Sequence, residues 1–197
     1  MKILRLAATG LLLAAAFTAA QAAPLAADGQ WHSFVVDELA LPSLEWTVTD
    51  TLDPGYGKPL AFEFTIAPGH YGILTVVDSV FAGDTFRVTN NSAFLGNTSA
   101  VPATTYQTAP NVGFDYDAAL AAPAFSKGVF TLAEGSYVIG GSLLQSVTLD
   151  GLPLNGTDGA IRLNNVAGSV PEPTSVALML AGLLLGGRVL RSRSKTS

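Results

Sequence analysis

Leu44-Glu45-Trp46-Thr47-Val48-Thr49 alternates apolar and polar residues without a break. Successive side chains of an extended chain point to opposite faces, so Leu44, Trp46 and Val48 share one face and Glu45, Thr47 and Thr49 the other. That period of two predicts a strand with one buried face and one wet face. The same reading extends outward along the chain. Phe62, Phe64 and Ile66 alternate with Glu63 and Thr65, while Phe86 and Val88 sit between Thr85, Arg87 and Thr89. Further strands are expected at 31–36, 71–77, 129–132, 136–140 and 143–149. Between them fall turn signals: Asp53-Pro54-Gly55, Pro68-Gly69, Gly83-Asp84, Glu134-Gly135, Asp150-Gly151 and Asn155-Gly156. Only 116–122 reads as a helical turn or two, and 97–110, rich in Thr, Ala and Pro, reads as a long loop. Many short strands with polar turns predict an all-β chain, an antiparallel β-sandwich or jelly roll. The sandwich is expected over residues 23–150, with a last strand and a Gly/Asn-rich linker over 151–169.

The two ends carry a different signature. Lys2 and Arg5 precede an uncharged apolar run centred on Leu11-Leu12-Leu13-Ala14-Ala15-Ala16-Phe17, and Ala20-Gln21-Ala22 supplies a small-x-small pattern. A basic start, a short apolar core and small residues at the cut define a secretory signal peptide. Residues 1–22 are its expected extent, with Ala20, Ala22 and Ala23 forming the signal-peptidase site. At the other end Val170-Pro171-Glu172-Pro173 leads into an apolar stretch, 174–187, followed by Arg188, Arg191, Arg193 and Lys195. The prolines fix their own φ and push Val170 and Glu172 into extended geometry, which presents Glu172 on a stiff strand. Fourteen residues of helix span about 21 Å at roughly 1.5 Å per residue, short of the ~30 Å hydrocarbon core. Val189 and Leu190 lengthen the span when Arg188 snorkels to the headgroups. Cations after the helix hold that end in the cytoplasm and turn the body outward.

Pro-Glu-Pro, a short Leu/Gly/Ala helix and an Arg-rich tail within 170–197 resemble a PEP-CTERM sorting signal, with the basic run interrupted at Val189 and Leu190. The resemblance implies recognition by an exosortase, a membrane-embedded protease-transpeptidase, acting at Val170, Pro171, Glu172 and Pro173. It implies a protein anchored in the inner membrane during sorting and afterwards held in the cell envelope or outside the cell. In the body, Asp84-Thr85-Phe86-Arg87-Val88, Leu95-Gly96-Asn97-Thr98-Ser99, Pro123-Ala124-Phe125-Ser126-Lys127-Gly128 and Leu132-Ala133-Glu134-Gly135-Ser136-Tyr137 are similar to the β-rich bodies of proteins bearing this tag. That likeness brings no activity with it.

With both signals set aside, residues 23–169 carry four cations (Lys58, Arg87, Lys127, Arg162) against fourteen acids, a net charge of −10. Such a surface repels phosphate backbones, so nucleic acid is not expected as a partner. No cysteine is present, which excludes disulfides, thiolate catalysis and zinc–thiolate sites together. His32 and His70 each stand alone, without a second ligand at metal spacing. No Gly-x-Ser-x-Gly elbow appears, and Ser136 and Ser142 sit in ordinary strand contexts. Gly140-Gly141 reads as a bulge or turn. Asp115 and Asp117 are the acids most nearly paired, with three readings: caps for the 116–122 turn, calcium ligands, or an acid/base pair for glycoside cleavage. Trp46 reads as core, whereas Trp31, Tyr56 and Tyr106 read as the aromatics free to stack on a sugar.

No catalytic set, metal site or cofactor emerges. The expectation is a non-enzymatic matrix or binding module associated with exopolysaccharide. A secreted carbohydrate-active enzyme and a calcium-dependent adhesin are the alternatives.

Overall fold

The computed structural model describes residues 21–167, and they are mostly β. In chain order the strands are β1 (Gln21–Pro24), β2 (His32–Asp37), β3 (Leu60–Ile66), β4 (His70–Asp78), β5 (Val80–Phe81), β6 (Thr85–Asn90), β7 (Ala93–Asn97) and β8 (Asn111–Gly113). Helix α1 (Tyr116–Ala121) follows, then β9 (Lys127–Leu132), β10 (Gly135–Gln145), β11 (Thr148–Leu149), β12 (Leu152–Pro153) and β13 (Gly156–Ala167). Two sheets dominate. One has five strands in the order β1-β3-β10-β6-β7, the other four in the order β2-β13-β4-β9. All their pairings are antiparallel except β1 on β3. Among the described residues no helix is long and apolar enough to cross a membrane.

The alternation read in the sequence places the core. Phe62 and Ile66 of β3, Phe86 and Val88 of β6 and Ile139 of β10 are buried with Phe34 and Val36 of β2, Leu74 and Val76 of β4 and Ile161 and Leu163 of β13 in one cluster. Each such side chain contributes about 1.5–3 kcal/mol on leaving water. At the centre Phe34 and Trp46 stack with ring centroids 4.0 Å apart and an interplanar angle of 17°. Two glycines make room for them. A Cβ at Gly141 of β10 would strike the Trp46 ring and lie 2.6 Å from the Arg87 carbonyl oxygen. A Cβ at Gly159 of β13 would strike the Phe34 ring and lie 3.0 Å from the Val77 carbonyl oxygen.

Three expectations need correction. The 44–49 stretch is not a ladder strand: Leu44 has a left-handed φ of 57°, and Glu45 and Thr47 form isolated bridges, one to each sheet. Trp46 N donates to Gly141 O and Leu143 N to Leu44 O, each at 2.9 Å, while Thr47 exchanges two backbone hydrogen bonds with Val35 of β2 at 2.8 and 3.0 Å. Thr47, expected on the wet face, is fully buried. Its hydroxyl accepts from Gly57 N at 3.0 Å and donates to Gly55 O at 3.4 Å, which satisfies it inside. Gly140-Gly141 is neither bulge nor turn: β10 runs straight through it, and the register shift comes between Leu143 and Gln145. The absent side chain at Gly141 answers to Trp46, not to backbone curvature. The last strand expected within 151–169 is β13 (Gly156–Ala167). β13 lies in the middle of the four-stranded sheet, paired with β2 on one side and β4 on the other.

The two sheets differ on the faces turned away from the shared core. The outer face of the four-stranded sheet is covered: Val77 and Ala160 form a second buried cluster with Ala82, Ala119 of α1 and Phe125. Asp115 starts that helix by accepting from Ala118 N at 2.9 Å. Lys127 Nζ closes its other end, donating to the Leu120 and Ala122 carbonyls at 2.6 and 3.3 Å. Among the described residues no helix covers the outer face of the five-stranded sheet.

Candidate functional site

On that open face lies a groove of about 470 Å³, lined among others by Glu45, Arg87, Thr89, Asn91, Ser92 and Gly140. Strand register builds it. Ser142 of β10 pairs with Arg87 of β6 on one side and bridges Glu45 on the other, so Glu45, Ser142 and Arg87 form one row. Gly140 pairs with Thr89 and forms the floor of the next row. The β6–β7 hairpin closes one rim. Asn90 pairs with Ala93, leaving Asn91 and Ser92 as its two-residue turn, with φ of 48° and 64°. Both central residues of a type I′ turn need this left-handed geometry, which Asn tolerates and Ser resists.

The charges in the groove are unpaired by protein. Among the described residues the one ion pair is Arg162 with Asp117, at 3.1 Å. Arg87 instead lies over the Phe94 ring, 4.9 Å from its centroid, and Phe94 is itself 58% exposed. The ring fixes the guanidinium by cation–π attraction and leaves its N–H donors free. Glu45 accepts one hydrogen bond, from Ser43 Oγ at 2.7 Å.

A second concavity, of about 380 Å³, opens where β2, β5 and β13 meet, lined by Phe81, Tyr106, Leu154, Asp84 and Asp158 among others. Its acids belong to the fold. Asp84 is buried and accepts from Val147 N at 2.7 Å and Thr157 Oγ1 at 2.6 Å, tying the β5–β6 turn to β13. Burial pushes its carboxyl up to about 6 against those hydrogen bonds. Asp78, at the end of β4, accepts from Gly83 N at 3.2 Å and Asp84 N at 3.3 Å, while its Oδ1 has no protein partner. Burial first, and the Asp84 charge second, push Asp78 up to about 9. Burial also raises Asp158. Sequence reading missed all three acids, because no local motif joins positions 78, 84 and 158.

The acids singled out in the sequence do not converge. Asp115 caps α1, and Asp117 takes the Arg162 guanidinium and the Trp31 Nε1–H, the latter at 3.1 Å. Among the described residues no three His, Cys, Asp or Glu side chains gather as a metal site would require. Trp31, expected to be free, is held under Arg162 at 4.3 Å from its ring centroid and against Tyr116 at 5.8 Å. Tyr56 donates its hydroxyl to Asp37, and this bond raises the phenol above its usual range. Tyr106 stays 46% exposed, its ring tilted 47° against Phe81 with centroids 4.6 Å apart. His32 and His70 lie in β2 and β4. Ala22 and Ala23 lie in β1 beside Ala61 and Phe62. Ala20, the motif at 170–173, the apolar stretch and the basic tail lie outside the described residues. No family model, no curated protein and no solved structure matches this chain.

Proposed function

We propose that this chain is an exported cell-envelope protein whose β-sandwich or jelly-roll body binds extracellular polysaccharide without cleaving it. Export and sorting are supported by the basic-apolar-small start and by the Pro-Glu-Pro, apolar, Arg-rich end, which resembles a PEP-CTERM tag. On this reading signal peptidase removes residues 1–22 and an exosortase-type enzyme acts at 170–173. The sandwich reading is supported by one core cluster drawing side chains from both sheets.

The single observation that carries the binding role is the groove on the open sheet face. It offers Glu45 as acceptor, Arg87 as donor, and the amide or hydroxyl groups of Thr89, Asn91, Ser92 and Ser142 over a bare glycine floor. Strand register presents them side by side on one sheet face. Catalysis is the weaker reading because glycoside cleavage works with two carboxylates, and the groove lining contains one, Glu45.

Incubating the protein with insoluble polysaccharide from the producing cells tests the reading. We expect retention above that on a matched inert polymer, and equal recovery from both would end the proposal. Intact mass of the protein recovered outside the cell tests the sorting half. A C-terminus near Pro173 is expected, and a mass that keeps Ser197 would exclude processing.

A further inference from the structure

We infer that the ligand of this groove is an uncharged glycan, gripped by hydroxyl pairs spanning Glu45 and Arg87. The inference rests on the binding reading above and narrows it to a chemical class.

Glu45 and Arg87 flank Ser142 in one row across neighbouring chains. Adjacent extended chains lie ~4.8 Å apart, so the two backbones stand roughly 10 Å apart. Among the described residues the two side chains form no ion pair. A carboxylate only accepts and a guanidinium only donates. Held apart on one face, they complement a group that does both, and a sugar hydroxyl does both. The Ser142 hydroxyl between them adds a third partner of the same kind.

The floor points the same way. A Cβ at Gly140 would meet only Leu60 O at 3.5 Å and Thr89 Oγ1 at 3.6 Å, ordinary contacts. The fold would accommodate a side chain there, so the space is not required by packing. It lets a flat ring approach the sheet backbone. At the rim, Ser92 holds a left-handed φ of 64°, where glycine would be unstrained and serine is strained. The strain accompanies a hydroxyl placed on the groove wall.

Charge selects among glycans. The body carries −10, which repels an acidic polymer approaching any part of it. A polycation would be drawn to the whole surface, but in the groove it meets Arg87. An uncharged polymer meets neither obstacle. A peptide fits less well, because β10 is paired on both sides by β3 and β6 and offers no free edge for strand addition.

Affinity electrophoresis of the full chain tests this, through gels containing dextran, galactomannan, hydroxyethyl cellulose, alginate or diethylaminoethyl-dextran. We expect retardation by at least one of the three uncharged polymers, unchanged between low and high salt, and none by alginate. In the retarding gel Gly140→Val abolishes retardation with an unaltered melting temperature. Glu45→Gln and Arg87→Gln each weaken it about tenfold or more, the scale of one charge-assisted hydrogen bond. Retardation confined to alginate or the cationic dextran, and lost in salt, would overturn the inference. So would retardation by an uncharged polymer that survives Gly140→Val and both charge variants. If the uncharged gels fail while the producing cells' own polysaccharide retains the protein, this inference falls and the binding reading stands. If that polysaccharide also fails, both fall.

Discussion

The two sheets bury the same kind of side chain between them and then part company outside. The four-stranded sheet spends its outer face on the chain itself: α1, Phe125, and the Trp31–Arg162–Asp117 cluster cover it. There a carboxylate and a guanidinium that resemble a recognition pair are joined to each other. The five-stranded sheet leaves Glu45 and Arg87 apart, with an open floor between them. The same residue types serve structure on one face and stand available on the other. The difference lies in whether local chain, here α1, folds over them.

The sharpest way to break this comparison uses two adjacent glycines. Gly141 faces the core and Gly140 faces the groove, since side chains alternate along β10. Gly141→Ala drives a methyl into the Trp46 ring and the Arg87 backbone. We expect a loss of roughly 3 kcal/mol and a melting temperature lower by about 10 °C, measured by calorimetry. Gly140→Ala adds the same methyl in open contact, and we expect no loss of melting temperature. If both variants melt alike, the assignment of inner and outer faces is wrong.

The next effect comes from the closed end of the molecule, where acids are buried. Asp78 and Asp84 bind protons more tightly when folded than their usual 3.8, at about 9 and about 6. Their contribution to stability is therefore complete below about pH 4. It fades as pH climbs, through about 6 for Asp84 and through about 9 for Asp78. Melting temperature should drop on the order of 10 °C between pH 5 and pH 9, and Asp78→Asn should flatten most of that slope. A melting temperature that rises across this range would contradict the burial of these acids.

The smallest effect returns to the open face. Ser92→Gly removes the strained φ and should stabilise the fold by about 0.5–1 kcal/mol, read from a denaturant midpoint. If Ser92→Gly destabilises instead, the rim is not strained.

Alternation made much of the fold legible. Phe62 and Ile66, and Phe86 and Val88, face inward as their spacing required, and Asp115 caps α1, one of the three readings its position allowed. A last strand was expected after Gly151, but not its central place: β13 pairs on both sides, and its Gly159 leaves room for the Phe34 ring. Thr47 was misplaced because its wet-face position is buried by the 55–57 turn, a tertiary event with no local mark. The groove was illegible for a related reason. Glu45, Arg87, Ser92 and Gly140 lie on four separate stretches, and only strand register brings them side by side. Isolated acids and aromatics, by contrast, are easy to notice, and Trp31 and Asp117 drew attention while satisfying one another.

The central place of β13 has a consequence for timing. Asp37 of β2 pairs with Gly156 and Val77 of β4 with Ala160, so the middle of the four-stranded sheet is supplied by the last strand described. A chain emerging N-terminus first holds β2 and β4 without their shared neighbour until that strand appears. Pairings this remote in sequence close slowly. Completion of the four-stranded sheet is thereby deferred until Gly156–Ala167 has emerged.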